Sequence, residues 1–457
     1  AVPATRRTPG PKPRATVRAI RAALMVSGAL FVFGDNSALA GTCAISGVDS
    51  IACNGIFDTP VPDAPLVFAI DDLTVVVGQL DVTSIQSDGV DGIQITAAGG
   101  DATLINYGSI GSYGGGGANA VDIAAYDDVV IDNAGAILAY VDTGTGNVAD
   151  VTAVVAYSYA GDIIVGNQSG ASIAAVADHG DAIAVYALAN VGSVALQNAG
   201  DIMASTYGTS ATGILAIADG AGYYPDYSVV DIVNEGSIGA QVQAYYGRAY
   251  ANGIVAYGQD VTVDNEGAID AYAGIEQGNS VAVGIKAVAD SFSTVVNGTY
   301  GDIDVTAVSG GGIYYGPDAA ALGVFTVGTS ALTTNYGDIS ASATAYSNAA
   351  VVSSWGVRTY GVLGFATTVN YGDISASSTS ASTDNYGSYA FAYGGRDRGA
   401  EAKYGNPLKT APTLPQGLQG VDLDAASPFL YPRNPAGRGY LIEPTAEALD
   451  LLQLPQL

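Results

Sequence analysis

The sequence predicts an all-β fold, a right-handed parallel β-helix of about ten coils with three short strands per coil. Three observations predict it. A five-residue signature, Asn-x-Gly-x-Ile, recurs along the middle of the chain. Short runs alternating between apolar and small polar residues flank each copy. The composition is poor in chemistry-bearing side chains: 13% charged, with one His, two Cys, one Trp and two Met in 457 residues.

The signature is Asn106-Tyr-Gly-Ser-Ile110, Asn133-Ala-Gly-Ala-Ile137, Asn198-Ala-Gly-Asp-Ile202 and Asn234-Glu-Gly-Ser-Ile238. It returns as Asn265-Glu-Gly-Ala-Ile269, Asn335-Tyr-Gly-Asp-Ile339 and Asn370-Tyr-Gly-Asp-Ile374. Looser copies, two residues longer, span Asn167–Ile173 and Asn297–Ile303. Each unit carries a first strand of the form Gly-Ile/Val-x-Ala/Thr, as at Gly213, Gly253, Gly284 and Gly323. A second strand leads into the Asn and a third follows the Gly. Asn-x-Gly is a tight corner, because Asn tolerates left-handed φ and Gly adopts it at no steric cost. Stacking at about 4.8 Å per coil lays like residues over like and gives a rod roughly 50 Å long. The corner asparagines then form an amide ladder, and Ile and Val form the core column.

Four regions follow from the composition. Residues 1–40 read as a secretory signal: six basic residues up to Arg21, an apolar run Ala22–Phe33, then Ala38-x-Ala40 as a cleavage site. The apolar run is too short to cross a bilayer as a helix. Residues 41–70 lack the repeat and cap the first coil, covering an edge that would otherwise aggregate. They hold Cys43 and Cys53, a close pair that an oxidising compartment would bridge, worth roughly 2–3 kcal/mol for so short a loop. Residues 71–395 carry the repeat. Residues 396–457 form a Pro-rich irregular tail, with eight of the 17 prolines.

Charge narrows the partners. The chain has 15 basic and 43 acidic residues, a net of −28. Between Gly41 and Gly395 only Arg248, Lys286 and Arg358 are basic. Such a surface repels phosphate backbones, so nucleic acid is not an expected partner.

At this point the order of features resembles the β-helical passengers of Gram-negative autotransporters. The features are the signal, the close Cys pair, Asp71-Asp-Leu-Thr-Val-Val-Val and the serial Asn-x-Gly-x-Ile coils. The resemblance covers about residues 20–395. It implies passage through periplasm and outer membrane, display or release at the cell surface, and a β-barrel translocator as partner, in cis or in trans. No segment here supplies twelve barrel strands of about ten residues. The segment Tyr431–Glu443 faintly resembles filamentous-haemagglutinin-like proteins, which would suit a separate barrel; a frame shift or gene fusion accounts for the tail equally well.

Catalytic constellations are missing. A Ser-His-Asp mechanism would have to use His179, an exposed loop residue. Asp71-Asp72 and Asp127-Asp128 are candidate glycosidase pairs, but neighbours on a strand point to opposite faces. Arg248, Lys286 and Arg358 fall in three different coils. No metal or cofactor is expected, although Asp201, Asp302, Asp338 and Asp373 recur at one corner and would suit a weak cation site. The expected function is an adhesin-like or surface-structure protein binding a host or bacterial surface glycan or protein. The rivals are a polysaccharide-degrading enzyme and a passive matrix protein. Binding is expected in insertions after the third strand or first strand: Tyr140–Asp150, Gly220–Ser228 with Tyr223 and Tyr224, and Tyr314–Asp318 with Tyr314 and Tyr315. Gln277–Ser280 and the pair Tyr245-Tyr246 are likewise expected in loops.

Overall fold

The computed structural model describes residues 42–45, 50–54, 56–58, 66–68, 72–78, 84–88, 91–114, 119–141, 148–220, 228–310, 318–346, 351–380, 389–398 and 401–404. They belong to one compact unit. Among the described residues there are strands and their connections and no helix. The fold is a parallel β-solenoid, as the repeat predicts. One turn consists of a first strand Ala182–Ala189, a second Val194–Asn198 and a third Asp201–Thr206. Each pairs in parallel with its counterpart in the next turn. One antiparallel pair occurs at the N-terminal end, Thr42–Ile45 against Ser50–Asn54.

Parallel stacking in register makes columns of identical residues. Ile110, Ile137, Ile173, Ile202, Ile238, Ile269, Ile303, Ile339 and Ile374 lie one over the next on the third strand. All are buried, and each is worth about 1.5–3 kcal/mol of apolar transfer. The second strand contributes Leu104, Ile131, Val165, Leu196, Ile232, Val263 and Val295 in one column. That column then changes to Thr333 and Thr368, both fully buried.

The corner is an uninterrupted amide ladder. Nδ2 of each Asn donates to Oδ1 of the next at 2.7–2.8 Å, from Asn106 through Asn133, Asn167, Asn198, Asn234, Asn265, Asn297, Asn335 to Asn370. The solenoid completes eight turns over that span. The longer copies at Asn167 and Asn297 belong to the same ladder. A second ladder runs along the corner before the second strand. Asp72, Asp101, Asp128 and Asp162 each accept, through Oδ1, the backbone N–H of the residue stacked one turn on, at 2.8–3.1 Å. Asp127-Asp128 therefore lies at a corner, not on the expected strand, and Asp128 is engaged in capping the neighbouring turn.

From Asn119 on, first strands are longer than the four to six residues expected. Val351–Gly361 has 11, and the Gly-Ile dipeptide sits inside the strand, not at its start. There the alternation slips, so that two successive residues face inward: Ala184-Val185, Gly213-Ile214, Gly284-Ile285, Gly356-Val357. Alanine holds the first of these positions at Ala184; from Gly213 on the backbone is drawn in toward the Ile column, and glycine is the residue that fits. A Cβ on Gly253 would lie 2.4 Å from Ile269 Cγ2.

Candidate functional site

Corner length varies from turn to turn, and that variation builds a cleft. Three residues, 207–209, separate Thr206 from Ser210. In the next two turns seven residues, 243–249 and 274–280, cover the equivalent step. Because the two longer segments match in length, they pair in parallel: Gln243 with Gly274, Tyr246 with Gln277, Arg248 with Asn279. They make continuous strands of Ser237–Asn265 and Ala268–Asn297. This corrects two expectations, since Gln277–Ser280 and Tyr245-Tyr246 are strand residues and not loops. The extension turns at Gly247 and Gly278, which have φ of 98° and 141°, a region that glycine adopts without steric cost.

The step from short corner to extension leaves a cleft lined by Asp178, His179, Tyr207, Gln243, Tyr245 and Glu276, closed by Ala244, Tyr272, Gly274, Ile275 and Val308. These residues come from five successive turns, a reach of about 19 Å along the stack. Tyr207 and Tyr245 are 62% and 54% exposed. Tyr245 meets Tyr246 edge to face, with ring centroids 4.3 Å apart. A hydrogen bond with Tyr246 and that ring's charge, then the Glu276 carboxylate, push the Tyr245 phenol above its usual range. His179 Nδ1 lies 3.1 Å from Asp178 Oδ2. The lining offers two carboxylates, one carboxamide, one imidazole and three phenols, and no lysine or arginine.

An acidic edge borders the cleft. Asp270 is two residues from Tyr272 on the same strand face and stacks on Asp304. Burial first, then the charges of Asp304 and Asp302, push the Asp270 carboxyl up to about 6. Asp302, Asp338 and Asp373 do stack in register. Burial and the neighbouring Asp304 and Asp338 raise Asp302. Asp201 stands apart, its Oδ1 accepting from Ser237 Oγ at 2.5 Å. Among the described residues no group of three His, Cys, Asp or Glu is placed to hold a metal ion.

The other predicted site residues are dispersed. Tyr140 lies on the third strand Ala136–Val141 and packs against Tyr113 at 6.3 Å. Tyr223, Tyr224, Tyr314 and Tyr315 lie outside the described residues. Cys53 is disulfide-bonded, and the antiparallel register sets Cys43 directly opposite it. Tyrosines at corners stack on one another, as Tyr336 does on Tyr371 at 5.0 Å and 7°.

Lys286 and Arg358 fall in different turns, as expected. They share one outward column on the first strand, in the order Lys286, Phe325, Arg358. Both are buried, at 7% and 3% exposure. Lys286 lies over Tyr257 at 5.2 Å, and Arg358 over Phe325, Trp355 and Tyr360 at 4.7–5.7 Å. Arg358 Nε also donates to the Tyr360 hydroxyl at 2.5 Å. Around them Val281, Val283, Leu322 and Phe325 form an apolar cluster separate from the main core. The signal was the common offset from the inward glycine, two residues before Lys286 and before Arg358.

No protein-family model, curated protein or solved structure matches the chain.

Proposed function

We propose that the chain is a secreted or cell-surface passenger of a Gram-negative bacterium, exported through the periplasm and across the outer membrane by a β-barrel translocator in cis or in trans, and that it acts as an adhesin-like binding scaffold in adhesion, autoaggregation or biofilm. The observation that supports this reading best is the cleft. Tyr245, Gln243 and Glu276 are held on paired strands, with Tyr207, Asp178 and His179 at the corners of the adjoining turns, on a scaffold locked by two ladders. Such a surface offers contact area at low entropic cost.

Polysaccharide cleavage is the second reading, favoured by Asp178, His179 and Glu276 lying in one cleft. The spacing weighs against it. Asp178 and Glu276 belong to turns three steps apart, about 14 Å along the stack. Glycosidase carboxyl pairs stand roughly 5–9.5 Å apart.

Residues 41–395 displayed on a non-adherent cell test the proposal. Gain of adhesion, autoaggregation or biofilm is the expected result. No gain in any of the three, with degradation of a polysaccharide panel, would overturn it in favour of the enzyme.

A further inference from the structure

We propose that the cleft below the 243–249 and 274–280 extension binds an uncharged, hydroxyl-rich oligosaccharide laid along the stack from Asp178 to Val308. This rests on the reading of the chain as a binding scaffold, and it names the ligand class and the residues that select it.

The argument begins with what distinguishes the cleft from the rest of the surface. Negative charge does not, since acidic residues outnumber basic ones along the whole repeat. A ligand held by positive charge would bind over the entire acidic surface and would not select this place. An anionic ligand meets no lysine or arginine among the lining residues and faces Asp178, Glu276 and the nearby Asp270. A purely apolar ligand would desolvate those carboxylates without replacing the hydrogen bonds they make to water.

What is particular to the cleft is the combination of phenol faces with acceptors and donors of several kinds. Tyr207 and Tyr245 present rings more than half exposed. Such rings suit the apolar faces of sugar rings, and each gives contact area while losing only two side-chain torsions. The carboxylates of Asp178 and Glu276 accept hydroxyl protons, and charge-assisted hydrogen bonds of that kind are roughly twice as strong as neutral ones. The Gln243 carboxamide both donates and accepts, which matches a hydroxyl group that does the same. Tyr207 and Gln243 occupy equivalent positions in adjacent turns, immediately after the paired Thr206 and Val242. The lining residues therefore step along the stack at about 4.8 Å per turn, which favours an extended chain over a compact ligand.

The test uses the full chain and saturation-transfer NMR with titration. The probes are neutral hexasaccharides of glucose, galactose and mannose, with a hexagalacturonate and a hexameric chitosan as charged comparators. At least one neutral hexasaccharide is expected to bind. Tyr245→Ala and Tyr207→Ala are each expected to weaken it by about tenfold or more, which corresponds to about 1.4 kcal/mol. Tyr207→Phe is expected to retain most of the binding, Glu276→Gln to weaken it, and Tyr300→Ala, exposed at the asparagine corner between Asn297 and Asp302, to leave it unchanged. Raising the salt concentration is expected to have little effect, because no ion pair is involved. Three results would overturn the proposal: no neutral probe binds, only chitosan binds and salt removes it, or the tyrosine variants bind as well as the parent. If the displayed chain still promotes adhesion while no neutral probe binds, the ligand class is wrong and the scaffold reading stands. If neither occurs, both fail.

Discussion

Gly284 packs so closely against Ile303 that a methyl group on its Cα would lie 2.5 Å from the isoleucine Cγ2 and equally close to the Gly323 carbonyl oxygen. The same relation joins Gly213 to Ile238, Gly323 to Ile339 and Gly356 to Ile374, at 2.1–2.6 Å. The first strand is bent inward there, and glycine permits the bend. Gly284→Ala is expected to lower the unfolding free energy by about 1–3 kcal/mol through overpacking. Gly166 also lies on a strand, but its nearest would-be contact is 3.6 Å away. Gly166→Ala is expected to be neutral or to stabilise by about 0.4–1 kcal/mol. Urea titration of the two variants checks the contrast. Equal losses would show that the bend is not the cause.

The amide ladder predicts a position-dependent cost. Asn198 stands between Asn167 and Asn234 and serves one as acceptor and the other as donor. Asn198→Ala removes a ladder partner from each, leaving Asn167 Nδ2 only its longer bond to the Asp201 carbonyl at 3.3 Å, at about 1–3 kcal/mol for each buried polar group so weakened. Asn106 donates to Asn133, while its own Oδ1 accepts from Gly108 N. Asn106→Ala is therefore expected to cost about half as much. Comparison of urea midpoints, at unchanged slope, measures the ratio.

Asp270 gives the solenoid a pH dependence. Its carboxyl is raised from 3.8 to about 6 in the folded chain. Between those values the folded state holds the proton more tightly than the unfolded state does. Stability is therefore highest below about pH 4 for this group and falls as pH rises toward 6. Above 6 the burial and the Asp304 repulsion are fully felt. Asp270→Asn is expected to raise stability at pH 7 by about 1–2 kcal/mol and to flatten that fall. Thermal unfolding of parent and variant from pH 4 to 7 decides it. An unchanged slope in the variant would assign the dependence to other groups.

Legibility of the sequence followed the physics of stacking. Asn and Ile at the corner were readable because each must meet its own kind one turn away, so the residue type repeats. The Asp72 to Asp162 ladder was not readable, because each carboxylate accepts from a backbone N–H and places no demand on the residue above. The cleft was missed for a different reason. Gln277–Ser280 carries turn residues, and becomes strand because the turn below has an insertion of equal length. Matching of insertion lengths is a relation between distant segments, invisible in either one. The Lys286 and Arg358 column was hidden in the same way, by register.

The interior threonines show most clearly that alternation alone does not report what a buried face contains. Thr326, Thr333, Thr359 and Thr368 are all fully buried. Their hydroxyls join in one chain: Thr326 to Thr333 at 2.8 Å, Thr333 to Thr359 at 3.0 Å, Thr359 to Thr368 at 2.9 Å. Upstream, Leu, Val and Ile occupy the positions of Thr333 and Thr368 on the second strand, and Ala187, Ala216, Ala256 and Ala287 those of Thr326 and Thr359 on the first, so the interior there is built without hydroxyls. Valine has the shape of threonine and lacks only the hydrogen bond. Thr359→Val removes the middle of the chain and is expected to cost about 1–3 kcal/mol, because Thr333 and Thr368 each lose a partner in a dry interior. Replacing all four with valine removes the four hydroxyls of this chain together and is expected to be near neutral or stabilising. The two variants, compared by chemical denaturation, separate the worth of the network from the cost of breaking it. If the fourfold variant loses more than the single one, the hydroxyls are stabilising the fold by themselves and the valine equivalence fails.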